Sequence, residues 1–402
     1  MAKIGIFGGS FDPPHLGHIL ALQEFRSKLS LDRVIVIPSK DPPHKTLSFG
    51  GASAEHRFRM TQLAVQHLPY AKVSDLELRR EGKSYTADTV EELRRLYPED
   101  HFYLLMGTDM FLSFSSWYEP QRITAQATLV AAYRSEDKTG RLGECAHRLR
   151  EELNADCVLL ENEYLPYSST VTRAMLAFGL GEEYVSKETY SYICQYGLYY
   201  RRADLRNLDF EQLRNVSLSL HDRKRVPHVI GCSDTALALA QKYGANSEDA
   251  RRAGILHDIT KALGAQEQLK LCDHYGIMLN DFYRRNPKLL HAKTGAVVAQ
   301  QVFGENEAVC QAICWHTTGK AEMCTLEKIL YLADYVEPNR SFDTVEALRS
   351  LTFTDLDKAM ALGLQMTMEQ LRGQDRLIDP NSIAALRFYQ ERNHENEIIR
   401  QS

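Results

Sequence analysis

At 402 residues the chain is about twice as long as an ordinary domain, so we expect two domains that can each bury a core. Its 48 Lys and Arg residues against 53 Asp and Glu residues give a net charge of −5, which offers no general electrostatic basis for binding nucleic acid or an anionic membrane. The first residues have the pattern of neither a signal nor a transit peptide, and no apolar run is long enough to span a bilayer, so we expect a cytoplasmic protein.

The first half of the chain alternates short apolar runs with helical segments. The predicted strands are KIGIF, RVIVIPS, HFYLLMG and ATLVAAYR, and the predicted helices among them are ILALQEFRSKL, HRFRMTQLAVQHL and TADTVEELRRLY. This alternation is typical of an open, mostly parallel sheet with helices on both faces. The sequence therefore predicts a doubly wound α/β domain over residues 1–200.

The second half has helical spacing and hardly any run rich in Val and Ile. Its predicted helices include SDTALALAQKYG, EDARRAGILHDITKAL, AKTGAVVAQQVFG, TLEKILYLADYVE and TDLDKAMALGLQMTMEQLR. A charged passage, YYRRADLRNLDFEQLRN, separates the two patterns. We predict an all-α second domain over residues 209–402, with the boundary near residues 199–208.

The loop GGSFDPPHLGH, residues 8–18, follows the first predicted strand and precedes the first predicted helix. Doubly wound sheets bind ligands at this position, where a helix N-terminus offers free N–H groups to phosphate. Gly8 and Gly9 allow the backbone to approach a ligand closely. His15 and His18, three residues apart at a helix start, can point the same way and donate hydrogen bonds to phosphate oxygens. The loop therefore predicts a phosphate site.

The GGSFDPPHxGH string resembles the (T/H)xGH nucleotidyltransferases, in the form typical of bacterial nicotinate-nucleotide adenylyltransferases (NadD-like). PPHK at residues 42–45, SYTADT at 84–89, GTD at 107–109, WYEP at 117–120 and SSTVTR at 168–173 are similar to motifs of the same family, although Thr172 replaces its usual apolar residue. No KMSKS-like loop accompanies them, which argues against a tRNA synthetase. The resemblance implies a Rossmann-like nucleotidyltransferase fold and transfer of AMP from ATP to nicotinate mononucleotide, with release of pyrophosphate.

The resemblance also implies residue roles. Catalytic charge stabilisation would come from His15, His18, Lys45 and Arg173. ATP, with Mg²⁺, would be bound by His15, His18 and Arg173 together with Gly8, Gly9, Ser10, Phe11, Gly107, Asp109, Ser168, Ser169 and Thr170. Nicotinate mononucleotide would be bound by Lys45, Tyr85, Thr86, Trp117 and Tyr118, with Trp117 stacked on the pyridine ring. His44 and Arg57 are weaker candidates.

The helical half places His and Asp residues in or beside apolar segments. Such side chains are costly to bury unless something pairs with them, and a set of this kind can converge on metal. The candidate ligands are His228, His257, Asp258, His291, His316 and Asp334.

The order H, HD, H, H, D resembles the HD-domain phosphohydrolases. LHDITK, LLHAKTGA, WHTTGK and LADYVEPNR are similar to the YqeK subgroup, which implies symmetrical hydrolysis of diadenosine tetraphosphate to ADP. His291 and His316 suggest two metal ions instead of one, and mixed imidazole and carboxylate ligands suit iron, manganese, cobalt or zinc. The resemblance favours iron. Lys261, one turn after His257, is placed to contact a polyphosphate.

Several alternatives stay open at this point. The first half could act on nicotinamide mononucleotide, phosphopantetheine or a polyol phosphate, although SSTVTR and WYEP favour nicotinate. The second half could hydrolyse a dNTP, a mononucleotide or guanosine tetraphosphate, or could be a non-catalytic nucleotide-sensing module. We expect small-molecule nucleotides as the partners, with no nucleic acid and no membrane, and a homo-oligomer is open.

Overall fold

The computed structural model describes residues 1–41, 50–134, 140–162 and 167–401. The chain divides into two compact units, Met1–Ala203 and Asp204–Ser402. Among the described residues, no helix combines the length and apolarity that crossing a membrane requires.

Six described strands of the first unit form one parallel sheet in the order β3-β2-β1-β4-β5-β6. Their bounds are β1 (Lys3–Gly9), β2 (Arg33–Pro38), β3 (Ala71–Val73), β4 (His101–Gly107), β5 (Ala127–Arg134) and β6 (Cys157–Asn162). Strand β1 lies in the middle, with Gly9 opposite Pro38 of β2 and Phe7 opposite Leu105 of β4. Central strands of such a sheet are buried on both faces, which explains their continuous apolar runs.

Helices cover both faces of this sheet. One face packs on Ile19, Leu22 and Phe25 of the first helix, and the opposite face packs on Val90 and Leu93 of the fourth. The helices of the unit are α1 (Leu16–Leu29), α2 (Ala54–Val65), α3 (Leu76–Arg79), α4 (Thr86–Leu96), α5 (Thr108–Leu112), α6 (Pro120–Thr124), α7 (Arg141–Leu153), α8 (Ser169–Ala177) and α9 (Lys187–Tyr196). The predicted α/β class is confirmed.

Two strands were not predicted. Strand β3 has three residues, and β6 lies at the opposite edge, where Leu129 of β5 pairs with Cys157. Short edge strands form because a neighbour offers a ladder of hydrogen bonds, and local composition does not report that neighbour.

The strand order places a crevice next to the GGSFDPPHLGH loop. The order reverses between β1 and β4, whose carboxyl ends lie at the same edge of the sheet. The loop follows β1, and Gly107 ends β4. Open α/β sheets bind their ligands outside this switch point.

The second unit is helical in its described residues, as predicted. Its helices are α10 (Phe210–Leu220), α11 (Val226–Tyr243), α12 (Ser247–Leu256), α13 (Ala265–Tyr275), α14 (Asp281–Arg285), α15 (Leu290–Gln301), α16 (Glu307–Trp315), α17 (Thr325–Val336), α18 (Val345–Thr352), α19 (Leu356–Gly373) and α20 (Pro380–Gln401).

The segment EDARRAGILHDITKAL differs from its prediction as one continuous helix. Helix α12 ends at Leu256, and the next residues turn tightly, with the Ile259 N–H bonded to the Leu256 carbonyl and the Lys261 N–H to that of Asp258. Adjacent residues of a regular helix point about 100° apart. Ending the helix here allows His257 and Asp258 to approach the same centre.

Candidate functional sites

The two histidines of the first loop lie at the start of α1. His15 occupies the N-cap position, and His18 lies in the first turn. The His15 backbone N–H donates to His18 Nδ1 over 3.1 Å, and the two ring centroids are 3.7 Å apart. Because Nδ1 accepts this bond, a neutral His18 carries its proton on Nε2. His18 can therefore donate Nε2–H to a bound anion.

Asp12 holds the same loop from within. Its Oδ1 accepts hydrogen bonds from the Ala52 N–H at 3.0 Å and from the Tyr199 hydroxyl at 2.7 Å. Burial and the Asp12 carboxylate hold the pKa of Tyr199 well above its usual range, so the phenol stays a donor. Neither residue was singled out from the sequence, and no spacing signal joins two positions so far apart.

Two buried arginines bind the backbone carbonyls of the loop. Arg173 Nη1 donates to the Asp12 carbonyl at 2.7 Å, and Arg57 Nη1 donates to the Ser10 carbonyl at 2.7 Å. Arg57, a weak candidate from the sequence, is fully buried and thus braces the loop. Arg173 Nε is buried and has no hydrogen-bond partner among the described residues, so a donor is left over at this position.

The SSTVTR segment begins α8 and packs on the loop. Ser168 caps the helix, accepting from the Val171 N–H at 3.2 Å, and the Ser169 hydroxyl donates to the Pro13 carbonyl at 3.2 Å. Thr170 Oγ1 lies 3.4 Å from Arg173 Nη2. The unusual Thr172 is buried, but its hydroxyl donates to the Ser168 carbonyl at 2.9 Å and is thereby satisfied.

The glycines and Phe11 shape the floor of the loop. A Cβ on Gly8 would meet nothing within 4 Å in the described structure, whereas one on Gly9 would lie 3.1 Å from the Phe11 ring. Phe11 itself is buried, and its φ of 47° lies in the left-handed region. Space above Gly8 and a tight fit at Gly9 suit a backbone that must stay close to a ligand.

The GTD and aromatic motifs lie on other elements of the unit. Gly107 caps α5, whose first turn carries the exposed Asp109. Tyr85 caps α4, which begins at Thr86, and its ring lies 4.2 Å from that of the half-exposed Tyr118. The Trp117 ring packs 5.1 Å from that of Phe114. Lys45 and His44 lie outside the described residues.

The six predicted metal ligands of the second unit converge. Ligand atoms of His228, His257 and Asp334 lie within 4.8 Å of one another, and so do those of His257, Asp258 and His316. His291 Nε2 lies 3.4 Å from Asp258 Oδ1. The distance between the Nε2 atoms of His228 and His257 is 3.3 Å, and that from His228 Nε2 to Asp334 Oδ1 is 3.1 Å.

Each imidazole of this cluster is oriented through Nδ1. The partners are Glu337 Oε1 for His228 at 3.0 Å, and the carbonyls of Gly254 for His257 at 2.7 Å, Lys288 for His291 at 2.6 Å and Ile313 for His316 at 2.7 Å. A bond of this kind fixes the tautomer of a metal-ligating histidine and leaves Nε2 for the ion. All four Nε2 atoms are therefore arranged as ligands.

Cations surround the two carboxylates. Arg225 Nε donates to Asp258 Oδ2 at 2.7 Å, and Arg340 Nη2 donates to Asp334 Oδ1 at 2.5 Å. Burial opposes the charged form of both carboxyl groups, but neighbouring histidines and cations outweigh it and hold their pKa values well below the usual range. Both aspartates are thus anionic, as metal binding requires.

Lys261 lies at the edge of the same cluster. Its Nζ is 2.9 Å from His291 Nε2 and 4.0 Å from Asp258 Oδ1. Burial and this ammonium lower the pKa of His291 to about 3, which keeps the imidazole neutral. In this structure Lys261 therefore occupies the face of His291 that would turn towards an ion.

Two buried polar atoms show that the cluster fits a divalent metal. Asp258 Oδ1 and His316 Nε2 are buried and lack hydrogen-bond partners among the described residues. A buried carboxylate oxygen facing a buried imidazole nitrogen is costly unless a cation lies between them. Nitrogen and carboxylate ligands in this number suit a first-row transition metal, but they do not select one.

Three residues near the cluster were missed. Arg225 lies three positions before His228, and Glu337 and Arg340 lie within LADYVEPNR. Glu337 follows Asp334 by three positions and binds His228, so helical spacing was the available signal. The contact of Arg225 with Asp258 joins different segments and had no such signal.

Two family models match the chain. Residues 6–175 match the model described as cytidylyltransferase-like, and residues 225–339 match the HD domain. The first match contains β1 to β6 apart from the first residues of β1, and the second contains all six clustered ligands.

Individual relatives match one half each. A protein of Carboxydothermus hydrogenoformans named "probable nicotinate-nucleotide adenylyltransferase" is 37% identical over 199 residues, which are 49% of this chain and 98% of that protein. One of the same name from Thermus thermophilus is 48% identical over 132 residues, 33% of this chain and 69% of that protein. A Clostridium acetobutylicum crystal structure, described as a "predicted HD superfamily hydrolase involved in NAD metabolism", is 35% identical, with a TM-score of 0.45, and covers 46% of this chain and 98% of its own.

Proposed function

The chain belongs, through its first half, to the nicotinate-nucleotide adenylyltransferase family, and we propose that this half transfers AMP from ATP to nicotinate mononucleotide. The observation that carries the proposal is the His15 and His18 pair at the N-terminus of α1, beside the switch point of the sheet. A helix N-terminus with convergent imidazoles is suited to phosphate. The product would be nicotinate adenine dinucleotide, an intermediate of NAD biosynthesis.

The reaction needs no protein nucleophile. A phosphate oxygen of nicotinate mononucleotide forms a bond to the α-phosphorus of ATP, the bond from that phosphorus to the bridging oxygen breaks, and pyrophosphate leaves. His18 Nε2–H, the His15 ring and Arg173 Nε would donate to oxygens whose charge changes in this step, with Lys45 as a further cation. Mg²⁺ accompanying ATP would screen phosphate charge. Alignment of the two anions would supply much of the rate.

For the remaining predicted residues we propose binding roles. Gly8, Gly9, Ser10, Phe11, Gly107, Asp109, Ser168, Ser169 and Thr170 would bind ATP, and Tyr85, Thr86, Trp117, Tyr118 and Lys45 would bind the nicotinate nucleotide. The Tyr85 and Tyr118 rings, 4.2 Å apart and inclined by 31°, offer further aromatic surface for the pyridine ring beside Trp117.

The test is pyrophosphate release from ATP with nicotinate mononucleotide, compared with nicotinamide mononucleotide, phosphopantetheine and a polyol phosphate. His18→Ala should lower kcat by about 10²–10³, because one preorganised donor is lost. His147→Ala, an exposed histidine on α7, is the matched control and should leave kcat unchanged. A wild-type protein that prefers another acceptor would contradict the proposed substrate.

For the second half, which carries an HD domain, we propose metal-dependent hydrolysis of diadenosine tetraphosphate into two molecules of ADP. The orphaned Asp258 Oδ1 and His316 Nε2 within the six-residue cluster carry this proposal. His228, His257, Asp258, His291, His316 and Asp334 would hold two divalent ions, with iron as the proposed metal and manganese, cobalt or zinc as alternatives.

In this reaction water adds to one of the two central phosphorus atoms, and the bridging P–O bond between them breaks. The ions, when bound, would activate that water and neutralise phosphate charge. Arg225, Lys261 and Arg340 would draw the polyphosphate to the cluster, because each already places a cation beside a ligand. The Nδ1 bonds keep the imidazoles oriented throughout, with each Nε2 left for an ion.

Other substrates of the second half remain alternatives: a dNTP, a mononucleotide or guanosine tetraphosphate. A non-catalytic sensor is less well supported, because nucleotide binding alone does not need two metal ions. The fusion has a simple rationale under our proposal, since adenylyl transfer can also generate diadenosine polyphosphates, which the second half would remove. We also propose that the protein acts in the cytoplasm.

The test is incubation of the full chain with iron, manganese or cobalt in turn and a panel of nucleotides. Hydrolysis of diadenosine tetraphosphate should give ADP as the sole nucleotide product. Asp258→Ala should abolish this hydrolysis while adenylyl transfer is retained. Asp273→Ala, a surface carboxylate on α13, is the control. If diadenosine tetraphosphate is cleaved with none of the metals, the proposed hydrolysis is wrong. If Asp258→Ala changes only adenylyl transfer, the second half acts as a sensor.

A further inference from the structure

A cavity of about 530 Å³ lies beside the metal-ligand cluster of the second unit. Pockets for small ligands typically have volumes of this order. Arg340 and Phe342, from the loop after α17, form part of its wall, and Met366 and Glu369 of α19 form another part. The metal-ligand assignments leave this cavity without a role.

Arg340 connects the cavity with the cluster. Its Nη2 donates to Asp334 Oδ1 at 2.5 Å and its Nε to the Asp334 carbonyl at 2.8 Å, and the same side chain lines the cavity. Tyr335, the next residue after Asp334, also lines it. A ligand in the cavity therefore lies next to the proposed polyphosphate site.

Aromatic groups define one side of the cavity. The Tyr335 and Phe342 rings are 5.9 Å apart and nearly perpendicular. The Tyr335 hydroxyl is bonded to Thr367 Oγ1 at 2.6 Å, which fixes its ring, and Phe342 is 37% exposed. Met366 adds a polarisable thioether. Exposed phenyl and thioether groups suit a flat heteroaromatic ring.

Carboxylates also line the cavity. Asp343 and Glu369 are exposed acids that contribute to the wall, with Gln370 beside them. Their negative charge disfavours phosphate, but each can accept a hydrogen bond from an amino group of a ligand. The cavity thus combines the cation Arg340 next to Asp334, an aromatic side, and carboxylate acceptors. This lining is complementary to a nucleotide whose phosphates lie at Arg340 and whose base lies against the aromatic side.

We propose that this cavity binds the purine nucleoside of the nucleotide whose phosphates occupy the six-residue cluster. The inference rests on the proposed function of the second half as a nucleotide hydrolase. The base stacks against Phe342, its exocyclic amine donates to Glu369 or Asp343, and the phosphate nearest the ribose meets Arg340. In a dinucleoside polyphosphate, the cavity takes one of the two adenosines.

The test is photolabelling of the full chain, in the presence of Mn²⁺, with 2-azidoadenosine 5′-diphosphate, followed by peptide mapping. Label should appear in peptides containing residues 335–344 or 366–370, and excess ADP should prevent it. Label in peptides of residues 1–203 reports the ATP site separately and shows that the probe is active. Label confined to other parts of residues 204–402 would overturn the proposed pocket.

Substitutions sharpen the test. Phe342→Ala should weaken the affinity of the second unit for the azido nucleotide by about tenfold or more. Phe342→Tyr keeps the ring, and its affinity should stay within about threefold of the wild-type value. Phe388→Ala, a half-buried ring on α20 outside the cavity lining, is the matched control. Inosine diphosphate lacks the amine and should compete less well than ADP, and Glu369→Gln should narrow that difference.

The outcomes separate the pocket from the hydrolase. If the cavity peptides are labelled as expected but diadenosine tetraphosphate is not cleaved, the proposed reaction is wrong and the nucleoside site is supported. If the protein cleaves diadenosine tetraphosphate and folded Phe342→Ala protein binds the nucleotide as tightly as the wild type, the proposed reaction stands and the proposed nucleoside site is wrong.

Discussion

Single buried residues can fix the shape of the first site. Tyr199 and Asp12 are 187 positions apart, and their 2.7 Å hydrogen bond is buried. The GGSFDPPHLGH motif predicts a phosphate site because its glycines and histidines act locally. The bracing bond between Asp12 and Tyr199 could not be predicted, because it is a contact made only in the folded unit.

Tyr199→Phe tests this bracing. It removes a hydrogen bond to a carboxylate, worth about 1.5–3 kcal/mol, and releases Asp12, whose carbonyl also holds Arg173. We expect kcat/KM for adenylyl transfer to fall about tenfold or more, since small displacements of reacting groups are costly. Tyr196→Phe, an exposed tyrosine on α9, should change neither activity nor melting temperature. Unaltered kinetics in Tyr199→Phe would show that the loop is held without this bond.

Glu77 predicts a pH dependence for the first unit. The residue is 7% exposed, and burial raises the pKa of its carboxyl group to about 7 although Thr89 Oγ1 donates to it at 2.9 Å. The unfolded value is lower, so the folded unit binds more protons between the two values. The stability from this group is therefore complete below about pH 4.5 and is lost as the pH rises through about 7.

Glu77→Gln should remove this loss. At pH 8 we expect the variant to be more stable than the wild type by on the order of 2 kcal/mol, with little gain at pH 5. Denaturant unfolding at both pH values measures the difference. Glu81→Gln changes an exposed carboxylate nearby and should have the same small effect at each pH. A Glu77→Gln gain that is equal at pH 5 and pH 8 would contradict an ionisation origin.

At the scale of elements, the metal-ligand cluster depends on how closely α11 and α12 pack. A Cβ on Gly254 would lie 2.5 Å from Ser233 Cα and 2.9 Å from its nitrogen. The Gly254 carbonyl also accepts from His257 Nδ1. Periodicity predicted both helices, but it could not show that α12 ends at Leu256, because that end is set by packing and by the turn that follows.

Gly254→Ala should therefore disturb the cluster as well as the fold. The methyl group meets backbone, which cannot rotate away, so we expect the second unit to lose about 1–3 kcal/mol of stability and to bind Mn²⁺ more weakly. Gly373→Ala, at the end of α19, meets nothing within 4 Å in the described structure and is the matched control. Thermal unfolding and Mn²⁺ titration measure both effects, and unchanged Mn²⁺ affinity would separate the helix contact from the position of His257.

At the scale of the whole molecule, the division into two units makes each ligand a probe of one unit. Each unit contains one of the two tryptophans, Trp117 in the first and Trp315 in the second. A ligand that binds only the folded state stabilises it by about 2.7 kcal/mol at one hundred times its Kd. Trp117→Phe leaves a protein whose fluorescence reports the second unit, and Trp315→Phe leaves one that reports the first.

We expect Mn²⁺ to raise the Trp315-reported melting temperature by several degrees and a chelator to reverse this, because an ion would pair Asp258 Oδ1 and His316 Nε2 in the folded state only. ATP added with Mg²⁺ should raise the Trp117-reported transition. Asp258→Ala should cancel the Mn²⁺ shift reported by Trp315 and leave the ATP shift reported by Trp117 in place. In a further control, Mn²⁺ is added without nucleotide and the Trp117-reported transition is followed with and without Asp258→Ala. If Mn²⁺ raised that transition equally in both proteins, the metal would be acting outside the six-residue cluster.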